Sequence, residues 1–155
     1  MAKIIGLDEA VAIVQEGMTI MVGGFMACGG ANTIVEAIAA RGTKNLTLIA
    51  NDAAKPGMGI ARLVENHLLR RLVASHVGLN PEVGRQMATG ELEVELVPQG
   101  TLVERIRAGG YGLGGVLTPT GIGTLVAEGK EIITVDGKDF LLEKPLRADV
   151  ALICG

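Results

Sequence analysis

Aromatic residues are almost missing from this sequence, which has one Tyr, two Phe and no Trp in 155 residues. Proteins that bind single-stranded nucleic acids stack bases on aromatic side chains, and nucleic-acid-binding proteins in general need a basic face. Here 14 Lys and Arg stand against 17 Asp and Glu, which gives a formal net charge of −3. The composition therefore argues against a nucleic-acid-binding protein.

Cysteine and histidine are also scarce, with two residues of each type. Cys28 and Cys154 form no Cys-x-x-Cys pair. We therefore expect neither a zinc site nor a disulfide framework. The simplest interpretation makes both cysteines small, buried apolar residues.

Long apolar runs are missing as well. No stretch reaches the roughly 20 uninterrupted apolar residues of a membrane-spanning helix. Asp8 and Glu9 lie where a signal peptide would need its apolar core. We expect a soluble, cytoplasmic protein and, at this length, a single domain over residues 1–155.

Glycine, in contrast, is abundant, with 23 residues, which is roughly twice its usual share. The apolar stretch 18–36 breaks at Gly23-Gly24-Phe25 and again at Gly29. This pattern predicts a strand, a tight loop and a helix. A glycine-rich loop in that setting is a common anion or cofactor site, because glycine lets a ligand approach the backbone.

Predicted strands and helices alternate along the chain. Helical spacing of apolar residues predicts helices at about 7–16, 33–41, 60–68, 81–89 and 101–108. Apolar runs predict strands at 18–22, 46–50, 72–77 and 150–153, and alternation over 91–96 predicts a strand with one solvent-facing side. Two helix starts carry capping-box pairs, Thr33 with Glu36 and Thr101 with Glu104.

This alternation predicts an α/β fold with a doubly wound, mostly parallel sheet and helices on both faces. Ligands of such sheets bind at the carboxyl ends of the strands. We therefore expect the site to be built from the loops 23–32, 51–59, 76–81 and 98–100.

The C-terminal third departs from this pattern. Residues 132–135 and 140–142 flank Asp136-Gly137, which predicts a small β-hairpin. Before them, the glycine-rich stretch 109–123 predicts a long ordered loop that lines a pocket, because it carries apolar residues and threonines rather than charges. Residues 110–115 match the letters of GxGxxG, but a dinucleotide fingerprint follows a strand, and this one follows a predicted helix.

Short motifs succeed one another along the chain: VGGF at 22–25 with Gly29, LTLIAND at 46–52, SHVG at 75–78, NPE at 80–82, VPQGTL at 97–102 and LTPTG at 117–121. In this order they resemble the α (A) subunit of class I coenzyme A transferases. NPE and the GRQM of 84–87 resemble acetate/butyrate–acetoacetate CoA-transferases more than succinyl-CoA:3-oxoacid enzymes.

The sequence departs from the family pattern at three places. Ala31 stands where the family has Pro, and Glu16 stands where it has Asp or Asn. Family subunits also continue well beyond the strand predicted at 150–153.

The resemblance implies transfer of CoA from an acyl-CoA to a free short-chain or 3-oxo acid through a glutamate nucleophile, a form of covalent catalysis. It implies no metal or redox cofactor, since the CoA thioester is a substrate. In two-subunit members the glutamate lies on a β subunit, in a Ser-Glu-Asn-Gly-like segment that this sequence lacks. We interpret Glu65, before Asn66, as a solvated helix residue, and we expect a hetero-oligomer with a β subunit.

The resemblance also implies roles for individual residues. Gln99 would donate its side-chain amide to an oxyanion hole; such a donor is worth roughly 3 to 4 kcal/mol in the transition state. Gly23, Gly24, Phe25 and Gly29 would lie beside the thioester and acyl group. The acyl pocket would be lined by Thr118, Pro119, Thr120 and Gly121.

Other interpretations stay open at this point. Gln99, between a strand end and the capping residue Thr101, would also serve as an ordinary turn residue. Gly23-Gly24-Phe25 would also serve as a tight turn that packs strand on helix. For the chain as a whole, the alternatives are a non-catalytic CoA- or nucleotide-binding module and an assembly fragment.

Overall fold

The computed structural model describes residues 3–154. They divide into two compact units, here called unit 1 (residues 3–95 with 148–154) and unit 2 (residues 96–147). The helices are α1 Leu7–Ile13, α2 Asn32–Arg41, α3 Ala61–Glu65, α4 Pro81–Thr89 and α5 Gln99–Tyr111, with a 3-10 turn at Leu125–Ala127. The strands are β1 Thr19–Val22, β2 Leu46–Asp52, β3 Leu69–His76, β4 Glu93–Leu96, β5 Val116–Thr118, β6 Ile132–Val135, β7 Lys138–Glu143 and β8 Val150–Leu152.

A five-stranded sheet in the order β4-β3-β2-β1-β8 forms the centre of unit 1. β1 pairs in parallel with β2 and with β8, and β2 pairs in parallel with β3. The predicted mostly parallel α/β fold is confirmed. Residues 46–50 are all buried because strands of such sheets are covered on both faces. Fully buried side chains of the core include Ile20, Ile38, Leu48, Leu63 and Leu72.

Helix α4 begins and ends where the sequence predicts. The Asn80 side chain accepts a hydrogen bond from Glu82 N, Pro81 occupies the first turn, and Gly90 closes the helix in the left-handed conformation. Asn at the N-cap, Pro at N1 and a left-handed Gly after the last turn are local signals, so a single sequence suffices to find such a helix.

Both predicted capping boxes are wrong. α2 begins at Asn32 after Ala31, and α5 begins at Gln99 after Pro98, in each case without a side-chain cap. In α5 the backbone already makes the Leu102 N to Pro98 O bond, at 2.9 Å, so Thr101 lies inside the helix and is buried. Gln99 is therefore a first-turn helix residue and not a loop residue.

Two further helices end earlier than predicted. α1 stops at Ile13, and α3 stops at Glu65. After α3, His67 takes a left-handed φ of 52°, and Leu68 N bonds back to Leu63 O at 3.0 Å. This backward bond is a Schellman-type helix end. Leu68 still joins the core, with 3% exposure, although it lies outside the helix.

The predicted strand over 91–96 is shorter and less regular than expected. Only Glu93–Leu96 is extended, and its alternation does not hold, since Leu92 is 1% exposed whereas Leu96 is 49% exposed. β4 is the edge strand of the sheet, so its side chains lack neighbours on one side.

Unit 2 holds a three-stranded antiparallel sheet in the order β5-β7-β6. The predicted hairpin is β6 and β7, and its turn residues Asp136 and Gly137 have φ of 51° and 73°. Two positive φ values in succession match the right-handed twist of a hairpin, and Asp-Gly is a favoured pair for them. The hairpin is confirmed.

The prediction of one long loop over 109–123 is wrong. α5 continues to Tyr111, Gly112 ends it in the left-handed conformation, and β5 follows. The glycines here permit close packing. A Cβ on Gly109 would lie 1.9 Å from Leu146 O, and one on Gly115 would lie 2.8 Å from Glu143 O.

A buried ion cluster ties α5 to the small sheet. Glu143 on β7 is 2% exposed and lies 2.6 Å from Lys130 Nζ and 3.7 Å from the Arg105 guanidinium. Arg105 Nε also donates to Lys144 O at 2.7 Å. The cluster anchors α5, whose first residue is Gln99.

The two cysteines are exposed, so their interpretation as buried residues is wrong. Cys28 lies in a turn beyond the end of β1, and Cys154 follows β8, so both come after the buried parts of their strands. Over residues 3–154, no helix has the length and apolar character needed to cross a membrane.

Candidate active site

The loop after β1 lies where the strand order of unit 1 reverses. Strands β1 to β4 run outward in sequence order, whereas β8 returns to the other side of β1. Ligands of doubly wound sheets bind outside the carboxyl ends of the strands at such a point. The loop starts at Gly23, whose N–H donates to Leu152 O at the end of β8, at 3.1 Å.

This loop contains an unusual tight turn, Phe25–Cys28. Phe25 and Cys28 exchange both backbone hydrogen bonds at 2.9 Å, and the central residues Met26 and Ala27 have φ of 51° and 67°. Such turns normally use Asn-Gly or Asp-Gly. Left-handed geometry costs a residue with a side chain roughly 1–2 kcal/mol, so the surrounding structure must hold the turn.

Three polar side chains hold it. Asp52 Oδ2 accepts from Met26 N at 2.8 Å, Asn51 Nδ2 donates to Gly24 O at 2.6 Å, and Asn32 Nδ2 donates to Ala27 O at 2.9 Å. Asn51 and Asp52 end β2 and Asn32 begins α2, so rigid elements hold these side chains. Sequence reasoning placed Asn51 and Asp52 at the end of a strand and in the site loop 51–59, but it assigned them no contact with the turn.

The glycines of the loop differ in how closely other atoms pack against them. Gly24 has φ of 108°, and a Cβ there would lie 2.8 Å from Gly30 N, so only glycine fits. Gly29 has φ of 66° but open space around it. The cavity beneath the loop, which Gly23 and Gly24 line with Asp52, measures about 10 Å³. That volume is barely enough for one water molecule.

A much larger cleft lies in unit 2, with a volume of about 800 Å³. The start of α5 and the end of β5 border it, and the structure thereby brings Gln99, Thr118 and Thr120 together. The other lining residues are Pro98, Gly100, Thr101, Val103, Glu104, Arg107, Val116 and Leu117.

The start of α5 gives one edge of this cleft a positive potential, while its two charged side chains, Arg107 and Glu104, are paired with each other. The first turn of α5 borders it, and the first N–H groups of a helix lack intrahelical partners and lie at the positive end of the helix dipole. Arg107 lines the same cleft, donates from Nε to Glu104 at 2.8 Å, and lies 5.9 Å from the Tyr111 ring centre. The Arg107 hydrogen bond lowers the pKa of the Glu104 carboxyl.

Comparison with known proteins decides the family. The family described as Coenzyme A transferase matches residues 4–155. This chain belongs to the coenzyme A transferase family. The expected resemblance is confirmed.

Relatives of this CoA-transferase family chain are longer than it is. The acetate CoA-transferase subunit alpha of Escherichia coli (strain K12) is 57% identical over 97% of this chain and 69% of its own length. The acetoacetyl-CoA:acetate/butyrate CoA transferase alpha subunit of Clostridium acetobutylicum is 51% identical over 99% of this chain and 71% of its own length. The glutaconate coenzyme A-transferase structure from Acidaminococcus fermentans superposes with a TM-score of 0.84 over 97% of this chain and 55% of that one, at 17% identity, which shows the shared fold.

The predicted site residues of this CoA-transferase chain fall into two groups. Gly23, Gly24, Phe25 and Gly29 lie in the loop of unit 1, where Phe25 is 56% exposed. Gln99 and the segment 118–121 lie in unit 2.

Within 118–121, only Thr118 and Thr120 line the cleft; Pro119 and Gly121 do not. Thr118 Oγ1 accepts from Thr120 N at 3.2 Å, which shapes the turn after β5. A Cβ on Gly121 would lie 2.7 Å from the Val126 side chain, so this glycine serves packing.

Glu65 lies in a helix, as the sequence predicts. It lies at the end of α3, where its Oε1 accepts from Gly57 N at 2.6 Å and Arg62 lies 3.7 Å from its carboxylate. These contacts agree with a structural role for Glu65 rather than with that of a nucleophile.

Proposed function

We propose that this chain is the α subunit of a CoA-transferase that exchanges CoA between short-chain acyl-CoA and free acids such as acetate, butyrate and acetoacetate. The observation that carries the proposal is the shared cleft of Gln99, Thr118 and Thr120 at the start of α5. The names of the two relatives at 57% and 51% identity support the choice of acids. The expected cytoplasmic location belongs to the same proposal.

The nucleophile in this proposal is a glutamate of a partner β subunit. Its carboxylate attacks the thioester carbonyl and expels CoA thiolate, which leaves an acyl-glutamyl anhydride. CoA thiolate then attacks the glutamyl carbonyl and releases the first acid, and the acceptor acid reverses both steps. Each exchange is thereby split into easier covalent steps.

Gln99 is the proposed electrostatic catalyst within this chain. Each attack places negative charge on a former carbonyl oxygen, and a fixed N–H donor aimed at that oxygen stabilises the transition state more than the ground state. As the first residue of α5, Gln99 is backed by the positive end of the helix and by the anchoring of α5 through Arg105 and Glu143. Thr118 and Thr120 would contact the acyl group.

The test replaces Gln99 in the full-length chain assembled with its partner. Gln99→Ala should lower kcat for acetoacetyl-CoA and acetate by about a hundredfold or more, because one oxyanion donor is lost. Gln15→Ala, an exposed change in unit 1, is the matched control and should leave kcat within about twofold of wild type. Unchanged turnover of the Gln99 variant would exclude the oxyanion role.

The alternative of a non-catalytic CoA- or nucleotide-binding module has less support. The first glycines of the 110–115 segment lie in or just after the last turn of α5, and the space beneath the Gly23–Gly30 loop is about 10 Å³. Isothermal titration of the chain alone with CoA and with NAD separates the two hypotheses. Tight NAD binding would favour the module, and binding of CoA only after addition of the partner would favour the shared site.

A further inference from the structure

Asp52 places a buried carboxylate under the loop that follows β1. The residue is 2% exposed, and its two oxygens accept from two backbone N–H groups, Met26 N at 2.8 Å and Ala54 N at 2.6 Å. Both donor residues are left-handed, with φ of 51° at Met26 and 53° at Ala54. One carboxylate thus holds two conformations that residues with side chains rarely adopt.

The turn depends on this outside support more than a usual hairpin does. Neither central residue is Gly, Asn or Asp, so the sequence of the turn has no intrinsic preference for its conformation. Hydrogen bonds to a carboxylate are stronger than those to a neutral acceptor. Asp52 is the charged group among the three side chains that hold the turn, and it accepts from Met26, one of the two left-handed residues of the turn.

The Phe25–Cys28 turn also fixes the direction of the backbone that precedes it. Phe25 N and O are both engaged by Cys28, and Gly24 O is engaged by Asn51. Closing the turn therefore restricts the peptide groups on both sides of Phe25. They lie at the carboxyl end of β1, next to the end of β8.

We propose that Asp52 is a positioning residue for CoA transfer. By holding the Met26 N–H it keeps the Phe25–Cys28 turn left-handed, and the turn fixes the Gly23–Phe25 backbone against the acyl thioester. The inference rests on the proposed function, because it assigns the loop a part in CoA transfer. Strained backbone persists only where the surroundings impose it, and such strain is concentrated at functional sites.

The experiment compares Asp52→Asn, Met26→Gly and the double variant in the full-length chain assembled with its partner. Asn has the shape of Asp but places an N–H donor group opposite one of the two backbone N–H groups. Asp52→Asn should lower kcat by about tenfold or more, since misplacement of a site by about 1 Å costs up to a hundredfold. The KM for acyl-CoA should change much less, because a contact made mainly in the transition state is lost.

Met26→Gly provides a measurement that distinguishes support of the turn by Asp52 from a general structural role of Asp52. Glycine adopts positive φ without strain, so the turn needs less support. Relative to Met26→Gly alone, the double variant should lose much less kcat than Asp52→Asn loses relative to wild type. Gln86→Met is the matched control: Gln86 is 1% exposed and donates to Val64 O at 2.8 Å, away from the turn. It should lower Tm without lowering kcat.

Amide hydrogen exchange at Phe25 and Cys28 provides a reading that does not require activity. Exchange should accelerate in Asp52→Asn and slow again in the double variant, because these amides close the turn. If the wild-type assembly has no CoA-transferase activity, the proposed function fails, and the hold of Asp52 on the turn is still decided by exchange. The inference is overturned if kcat is unchanged in Asp52→Asn, or if the double variant folds but loses as much kcat relative to Met26→Gly as Asp52→Asn loses relative to wild type. It is also overturned if neither variant that carries Asp52→Asn folds, because the carboxylate would then serve the stability of the sheet edge in general.

Discussion

The loop of unit 1 covers a space of about 10 Å³, whereas the cleft of unit 2 measures about 800 Å³. The loop is closed by backbone bonds and by Asp52, Asn51 and Asn32, so what it offers a ligand is a preset backbone. The cleft offers volume, side-chain amide and hydroxyl groups, and a helix start. The two regions therefore differ in kind: the loop of unit 1 has a fixed backbone, and the cleft of unit 2 has open volume.

The largest expected effect concerns the buried ion cluster that anchors α5 beside the cleft. Glu143→Ala removes the carboxylate shared by Lys130 and Arg105, and breaking a buried ion pair by deleting one partner costs about 3–5 kcal/mol. We expect urea unfolding to show a loss of this size, with a lower kcat because α5 loses an anchor for Gln99. Glu131→Ala, an exposed neighbour, is the control. A loss below about 1 kcal/mol in Glu143→Ala would show that the cleft does not depend on the ion cluster.

The next effect tests the preset backbone of the loop. Gly24→Ala places a Cβ within 3 Å of Gly30 N, Cys28 O and Gly30 Cα at a φ of 108°. A side chain in so unfavourable a region costs about 1–3 kcal/mol from strain alone. We expect a loss of about 3 kcal/mol in thermal or urea unfolding and a collapse of kcat. Wild-type stability in this variant would show that the loop is more flexible than its packing indicates.

Gly29→Ala sharpens the same comparison with a smaller effect. Gly29 is left-handed, with φ of 66°, but a Cβ there would meet no atom within 4 Å. Only the conformational cost of about 1–2 kcal/mol applies. We expect a stability loss of that size in urea unfolding, smaller than that of Gly24→Ala. Equal losses in the two variants would mean that φ, and not close packing, explains the glycines of this loop.

The smallest effect lies away from both regions, on the surface of α4. The Arg85 hydrogen bond, with help from Gln86, lowers the pKa of Glu82 from 4.5 to about 2. Because the folded protein holds this proton less tightly than the unfolded chain, the interaction stabilises the fold above pH 4.5. Its contribution is lost as the pH falls from 4.5 to 2.

Urea unfolding at pH 7, 4.5 and 3 measures this pH dependence. Arg85→Ala should make the acid side of the stability profile shallower, and the exposed change Arg62→Ala is the comparison. An identical acid profile in the wild type and the Arg85 variant would contradict the assignment. Since Glu82 is only partly buried, the effect should be small and should weaken in salt.

Much of the fold was accessible from the sequence because its signals are local. Asn80 and Pro81 start α4, Gly90 ends it, and Asp136-Gly137 turns a hairpin, each within a few residues of chain. One boundary that was wrong has a long-range cause: α5 extends past Gly109, where glycine lets the helix approach Leu146.

By itself, the sequence determined the alternation of strands and helices, the family, and the residue types from which the site is proposed, because these depend on pattern and order along the chain. Only the tertiary structure decided that Gln99 begins a helix, that it shares a cleft with Thr118 and Thr120, and that Asp52 supports a left-handed turn 26 residues before it. The physical reason is the same in each case. Close packing and buried hydrogen bonds join residues distant in sequence, and no local preference specifies which partners meet.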